Sequence, residues 1–151
     1  MTADAMLVGR WQIVMWEQIY DDGRHTFPLG KALEGFIQYD VDGRMMCMLF
    51  QANRPSFTSG GQWSASQEER AFAYSSMLAY CGTYSVDGDT VCHKVELSAF
   101  PNWKHGTQVR KIEILKADSL SLSARLEEGT SEARTARLVW KRIVASEIDQ
   151  I

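Results

Sequence analysis

Two side chains in this sequence are spaced to exchange a proton. Asp87-Gly88-Asp89 is a hairpin turn sequence that sets Val86 opposite Val91, and therefore Tyr84 opposite His93. A phenol beside an imidazole on an apolar strand face is a candidate donor and general base, because histidine titrates near neutrality and burial tunes it. The plainer alternative is a Tyr-His hydrogen bond that fills a core. Glu17 shares a strand face with Trp11, Ile13, Met15 and Ile19, so alternation sends its carboxylate inward, where it must be paired or protonated. It joins His93 and Tyr84 as a catalytic candidate, unless a bulge leaves it at a wet rim. Arg110 and Gln108 fall on the face of Ile112 and Ile114 and offer an inward cation to a ligand oxygen or to Glu17.

Other residues are candidates for ligand contact. Phe100-Pro101-Asn102-Trp103 lies in a loop between strands, where Trp103 can act as an aromatic gate and Asn102 as a contact or a turn cap. Tyr39, Met45 and Cys47 share the inward face of a hairpin with Ile37 and Leu49, and supply wall. Cys47 reads as structural, since no base is placed beside it. His25, His93 and His105 have no i, i+2 or i+4 partner, so no metal is expected. Glycine-rich phosphate loops and a G-x-S-x-G elbow are absent, which argues against nucleotide use and serine-hydrolase chemistry; no cofactor is expected.

The elements that must position these groups are mostly strands. Alternation runs from Leu7 to Tyr20, through a hairpin from Gly35 to Phe50 around Val41-Asp42-Gly43, and again over Gly82 to Val86, Val91 to Phe100, Thr107 to Leu115, Ser119 to Arg125 and Thr135 to Val144. Ser66-Gln67-Glu68-Glu69 is a capping box that opens a helix expected to reach Tyr80, with Ala71, Tyr74 and Leu78 as its stripe. Eight antiparallel strands joined by short turns close an up-and-down barrel with a small interior cavity, and one helix serves as its lid or plug.

Composition limits the rest. The chain has 151 residues, 45% hydrophobic and 23% charged, which fits a single domain spanning 1–151. A net charge of -3 offers no basic stripe, so no nucleic-acid partner is expected. No window approaches a membrane span. Cys47, Cys81 and Cys92 are odd in number and lack C-x-x-C spacing, and the N-terminus has no basic region before its brief apolar stretch. Both point to a reducing, cytoplasmic setting. Homodimerisation is left open.

Gly9-Arg10-Trp11 resembles the G-x-W signature of the lipocalin and calycin barrels, in which a cationic side chain on the last strand packs across the tryptophan; Arg142 occupies that place. Leu7-Val8-Gly9-Arg10-Trp11, Asp42-Gly43-Arg44-Met45, Tyr80-Cys81-Gly82-Thr83-Tyr84, Val91-Cys92-His93-Lys94-Val95-Glu96, Pro101-Asn102-Trp103 and Leu138-Val139-Trp140-Lys141-Arg142 together look like the bacterial and fungal lipocalin-like domain proteins, from Leu7 to about Ile143. The resemblance implies a barrel with a central pocket for a small, largely apolar molecule, aromatic or polyketide-like. Such domains include carriers and cofactor-independent enzymes. The expected function is binding followed by acid/base isomerisation, cyclisation or dehydration at His93 and Tyr84. The alternatives are a non-catalytic carrier and, third, an interaction module with a solid barrel.

Overall fold

The alternating segments form antiparallel strands in the computed structural model, which describes residues 2–144. A short helix α1 (Ala3–Leu7) leads into β1 (Gly9–Tyr20), followed by β2 (His25–Thr26), β3 (Leu33–Tyr39) and β4 (Arg44–Gln51). Helix α2 (Gln67–Ser75) precedes β5 (Met77–Asp87), β6 (Thr90–Ser98), a 3-10 turn at Pro101–Trp103, β7 (Thr107–Leu115), β8 (Ser119–Leu126) and β9 (Arg134–Arg142). From β3 onward each strand pairs with the next, and β9 returns to β1 from Trp11↔Arg142 to Tyr20↔Arg134, which closes the sheet. With β2 only a short strip beside β1, the wall is an all-β, eight-stranded, up-and-down barrel.

Turn chemistry sets the register as the sequence requires. Gly43 takes φ 90° in the β3–β4 turn, and Tyr39 faces Met45, Ile37 faces Cys47. The β5–β6 turn places Val86 opposite Val91 and Tyr84 opposite His93. At the closed end, fully buried Trp11 donates its indole N–H to the Leu7 carbonyl at 2.9 Å, while the Arg142 guanidinium lies 4.1 Å from the Trp11 ring centroid. Arg142 also donates to the carbonyls of Val8 and Ala117, both at 2.7 Å. One cation thus ties β9 to the start of β1 and to the β7–β8 turn.

Strict alternation fails at three β-bulges, each of which moves later side chains to the opposite face. In β1 the extra residue is Val14: Ile13 faces Trp140 but Met15 faces Val139, so Trp16 and Gln18 turn inward while Met15, Glu17 and Ile19 turn outward. In β6 the extra residue is Glu96, which puts Leu97 on the solvent side instead of beside Val95. Gly82 stands opposite this bulge because a Cβ there would lie 1.9 Å from the Lys94 carbonyl oxygen. In β7 the extra residue is Glu113, so Ile114 is exposed rather than aligned with Ile112.

The helix is also shorter than its capping box suggests. Ser66 caps it by accepting from the Glu69 N–H at 3.1 Å, but it ends at Ser75, and Leu78 and Tyr80 belong to β5. No residue of α2 is buried, so the expected stripe of Ala71, Tyr74 and Leu78 is not a helical packing face. Instead Tyr74 reaches the Phe100 ring edge-on at 5.7 Å, beside the mouth of the barrel.

The β1–β3 ladder ends at Gln12↔Phe36, and the wall also parts between β7 and β8. The β7–β8 ladder starts only at Lys111↔Ser123, whereas Thr107–Arg110 pairs with β6 alone and Ala124–Leu126 with β9 alone. A hollow of about 460 Å³ lies over this divergence, bordered by both strands.

Removing the closed-end plug should be costly. Trp11→Ala is expected to lower stability by about 3 to 5 kcal/mol, as for other buried aromatic truncations, measured by denaturant unfolding. A loss below about 1 kcal/mol would contradict the placement of Trp11 as the plug.

Candidate functional site

The barrel encloses a cavity of about 230 Å³. Its wall is mostly apolar: Trp16 from β1, Ile37 and Cys47 from β3 and β4, Leu78 from β5, Leu122 from β8, and Leu138 and Trp140 from β9. At the mouth, Phe100 and Trp103 stack edge-on at 5.0 Å, and Trp103 meets Tyr80 at 5.4 Å. An aromatic train therefore runs from α2 through Tyr74, Phe100 and Trp103 to Tyr80 and covers the top. The Trp16 and Trp140 indole N–H groups are buried without an acceptor among the described residues.

His93 is the polar centre of the wall and is almost completely buried. Its Nε2 lies 2.7 Å from the Tyr39 hydroxyl and its Nδ1 lies 2.8 Å from the Tyr80 hydroxyl. A neutral imidazole has one N–H and one bare nitrogen, so one tyrosine accepts from the ring and the other donates to it. Burial, with a smaller contribution from the nearby Arg110 cation, pushes the His93 pKa down to about 3. Burial also raises the Tyr39 and Tyr80 hydroxyls well above their ordinary value and takes the Cys47 thiol up to about 12. At neutral pH the Tyr39–His93–Tyr80 chain is an uncharged relay with both ring nitrogens occupied.

Arg110 supplies the positive charge of the wall. It donates to the Gln108 side chain and to the Val109 carbonyl, each at 3.0 Å, and among the described residues it has no carboxylate partner. Gln108 and Arg110 face inward because they stand opposite His93 and Val91.

The residues singled out from the sequence separate into groups. His93, Arg110, Trp103 and Cys47 line the cavity. Tyr39 sits behind His93 and reaches the site through its hydroxyl. Tyr84 stands opposite His93 as its register requires, but its hydroxyl donates to the Asp40 carbonyl at 2.9 Å and its ring packs edge-on against Tyr39. It is a closed-end residue, as is buried Met45, and neither lines the cavity. Asn102 is exposed on the 3-10 turn and also lies outside the lining.

Glu17 is not in the barrel interior. The Val14 bulge turns it to the outer face, where Arg137 holds it at 2.9 and 2.7 Å and His25 on β2 at 2.8 Å. Burial raises its carboxyl, but the hydrogen bonds from Arg137 and His25 outweigh that effect and hold it below the ordinary range. It clasps β2 to the barrel. The side chains that sequence reasoning missed are Tyr80, assigned to the end of the helix, and Trp16, hidden by the bulge. The alternation of Leu78, Tyr80 and Gly82 is the signal that would have moved Tyr80 onto a strand.

Comparison with known proteins follows the same lines. The profile of the family described as lipocalin-like domain matches residues 8–143. A lipocalin-like protein from Bacteroides uniformis superposes with a TM-score of 0.50 and 17% identity, covering 91% of this chain and 99% of that one. A protein of Aspergillus oryzae named a 4'-hydroxy-3'-methoxypropiophenone carrier protein is 41% identical over 68 residues, a match that covers 40% of this chain and 60% of the relative's length.

The neutral histidine has a measurable consequence. An unfolded His93 takes up a proton below about pH 6.5 whereas the folded one waits until about pH 3, so its contribution to stability is intact above pH 6.5 and is lost as pH falls toward 3. Between pH 6.5 and 5, before most carboxylates titrate, the parent should lose up to about 1.4 kcal/mol per pH unit relative to His93→Gln. Parallel stability curves for the two proteins over that window would contradict a buried, neutral His93.

Proposed function

The chain belongs to the lipocalin-like domain family, and from that premise we propose that it holds one small aromatic molecule in the cavity beneath Trp103, as a carrier. The observation that carries this reading is the cavity itself, about 230 Å³ with tryptophan, phenylalanine and leucine walls. An apolar void of about 150 Å³ already accommodates benzene, so a substituted benzene fits. Among the described residues the indole N–H groups of Trp16 and Trp140 have no acceptor, and Arg110 donates only to the neutral Gln108 side chain and Val109 carbonyl. These donors favour a ligand that brings acceptor oxygens, such as an aromatic ketone, phenol or ether. The name of the Aspergillus oryzae relative, a carrier of a hydroxy-methoxy propiophenone, supports the same class.

A carrier is preferred over an enzyme on chemical grounds. The ionisable side chains lining the cavity are His93, Tyr80, Cys47 and Arg110. Burial disfavours the charged form of the first three, and both nitrogens of His93 are already engaged. An effective general acid or base needs a pKa near working pH and a free hydrogen-bonding position. The second reading, cofactor-independent acid/base conversion such as isomerisation, cyclisation or dehydration, draws on one observation: Tyr39, His93 and Tyr80 form a continuous chain along which a proton can pass.

One experiment addresses both. 4'-Hydroxy-3'-methoxypropiophenone titrated into the protein should quench tryptophan fluorescence saturably at one equivalent, and Trp103→Ala should weaken it about tenfold, as for an aromatic anchor. The ketone recovered from heavy water should carry no deuterium at its α-carbon beyond the buffer background. Absence of saturable binding by this ketone and by simpler aryl ketones would overturn the cavity reading. Exchange abolished by His93→Gln would replace the carrier with the enzyme.

A further inference from the structure

The top of the barrel and its side are built differently. At the top, Tyr74, Phe100, Trp103 and Tyr80 form a continuous edge-on series that covers the cavity. At the side, β7 and β8 separate where the ladder stops at Lys111↔Ser123. Gln108, Arg110, Ala124 and Leu126 border both the interior cavity and the outer hollow of about 460 Å³, so the two spaces meet at these four residues.

The chemistry of this gap is one-sided. Had β7 and β8 stayed paired, β8 would supply a partner for the backbone of Val109; instead the Val109 carbonyl accepts from Arg110 at 3.0 Å. The other cations bordering the hollow are committed, Arg125 to Asp21 and Glu128, and Lys111 beside Glu113. Among the described residues Arg110 is bound only to neutral acceptors, Val109 and Gln108. A guanidinium at the meeting point of an apolar cavity and solvent, with no acid beside it among the described residues, is suited to receive an anionic oxygen.

We propose that aromatic ligands pass through the gap between β7 and β8, and that the cavity selects those with one anionic oxygen, phenolate, carboxylate or sulfonate, which rests on Arg110 while the ring lies inside. This rests on the cavity reading above and extends it to a route, an orientation and a charge. A neutral aromatic keeps the ring contacts but leaves Arg110 on its backbone carbonyl. An anionic one replaces those bonds to neutral acceptors with an ion pair, worth about tenfold or more in affinity.

The test uses two fluorescent probes that differ by one anionic group, 8-anilinonaphthalene-1-sulfonate and neutral N-phenyl-1-naphthylamine. Arg110→Met is expected to weaken the sulfonate about tenfold or more and to change the neutral probe by less than about twofold. Val109 and Arg125 extend the Lys111↔Ser123 register across the gap. In a Cys81→Ser, Cys92→Ser background, Val109→Cys with Arg125→Cys, bridged by a short bis-maleimide, should slow uptake of both probes at least tenfold in stopped flow. The unbridged double-cysteine protein is the reference against which the bridged rate is read. Equal loss of both probes in Arg110→Met, or no loss of either, overturns the anion site. Unchanged uptake after confirmed bridging overturns the route. If the neutral probe does not bind the parent at all, the cavity reading itself fails, and that outcome is separate from a neutral probe that binds while the sulfonate shows no dependence on Arg110.

Discussion

The imidazole of His93, held between two tyrosine hydroxyls in a mostly apolar interior, is the constraint on which the site depends. Tyr39 comes from β3, Tyr80 from β5 and His93 from β6, so one buried ring fixes three strands relative to each other. A single neutral hydrogen bond adds only about 1 kcal/mol net, but a buried polar atom left without its partner costs about 1 to 3 kcal/mol. The cluster therefore acts less as a source of stability than as a specification. Any packing that moves one of the three strands leaves a buried nitrogen or hydroxyl unpaired. The same bonds keep the ring neutral, so a polar side chain can border an apolar cavity without bringing a charge into it.

Bulges determine which residues meet that cavity. Val14, Glu96 and Glu113 each insert one residue, and in each case the extra residue is placed toward solvent or the outer face. The shift in β1 brings Trp16 inward and sends Glu17 out to Arg137 and His25, which removes the one carboxylate that alternation would have placed inside. Among the described residues, Arg110 is then left without a carboxylate partner and bound to neutral acceptors. The closed end needs no such adjustment, since Trp11 and Arg142 lock α1, β1 and β9 through the indole, the guanidinium and three backbone carbonyls.

Much of this was legible from residue pattern. Two-residue periodicity with Asp-Gly turns gives the strands, and the turns at Gly43 and Gly88 give the register that pairs Tyr39 with Met45 and Tyr84 with His93. Gly9-Arg10-Trp11 with Arg142 marks the closed end. Register, however, fixes neighbouring Cα atoms and not where a hydroxyl goes: Tyr84 leans toward the closed end to reach the Asp40 carbonyl, and its place at His93 is taken by Tyr39 and Tyr80. Tyr80 was concealed because a strong capping box at Ser66 invites extension of the helix, while strand pairing of Met77 onward with Phe50 ends it at Ser75. A bulge leaves no local signature when the inserted residue is an ordinary valine or glutamate, so the inward positions of Trp16 and the outward position of Glu17 follow only from the closed sheet.

The neutral, doubly bonded state of His93 joins fold and function, and nitrogen-15 NMR reads it directly. On titration from pH 7.5 to 4.5, the His93 ring nitrogens should keep one protonated and one unprotonated resonance throughout, because burial holds the pKa at about 3. Both nitrogens moving together to the positions of a charged imidazolium, with a midpoint between pH 6 and 7, would contradict the buried, uncharged relay and the account built on it.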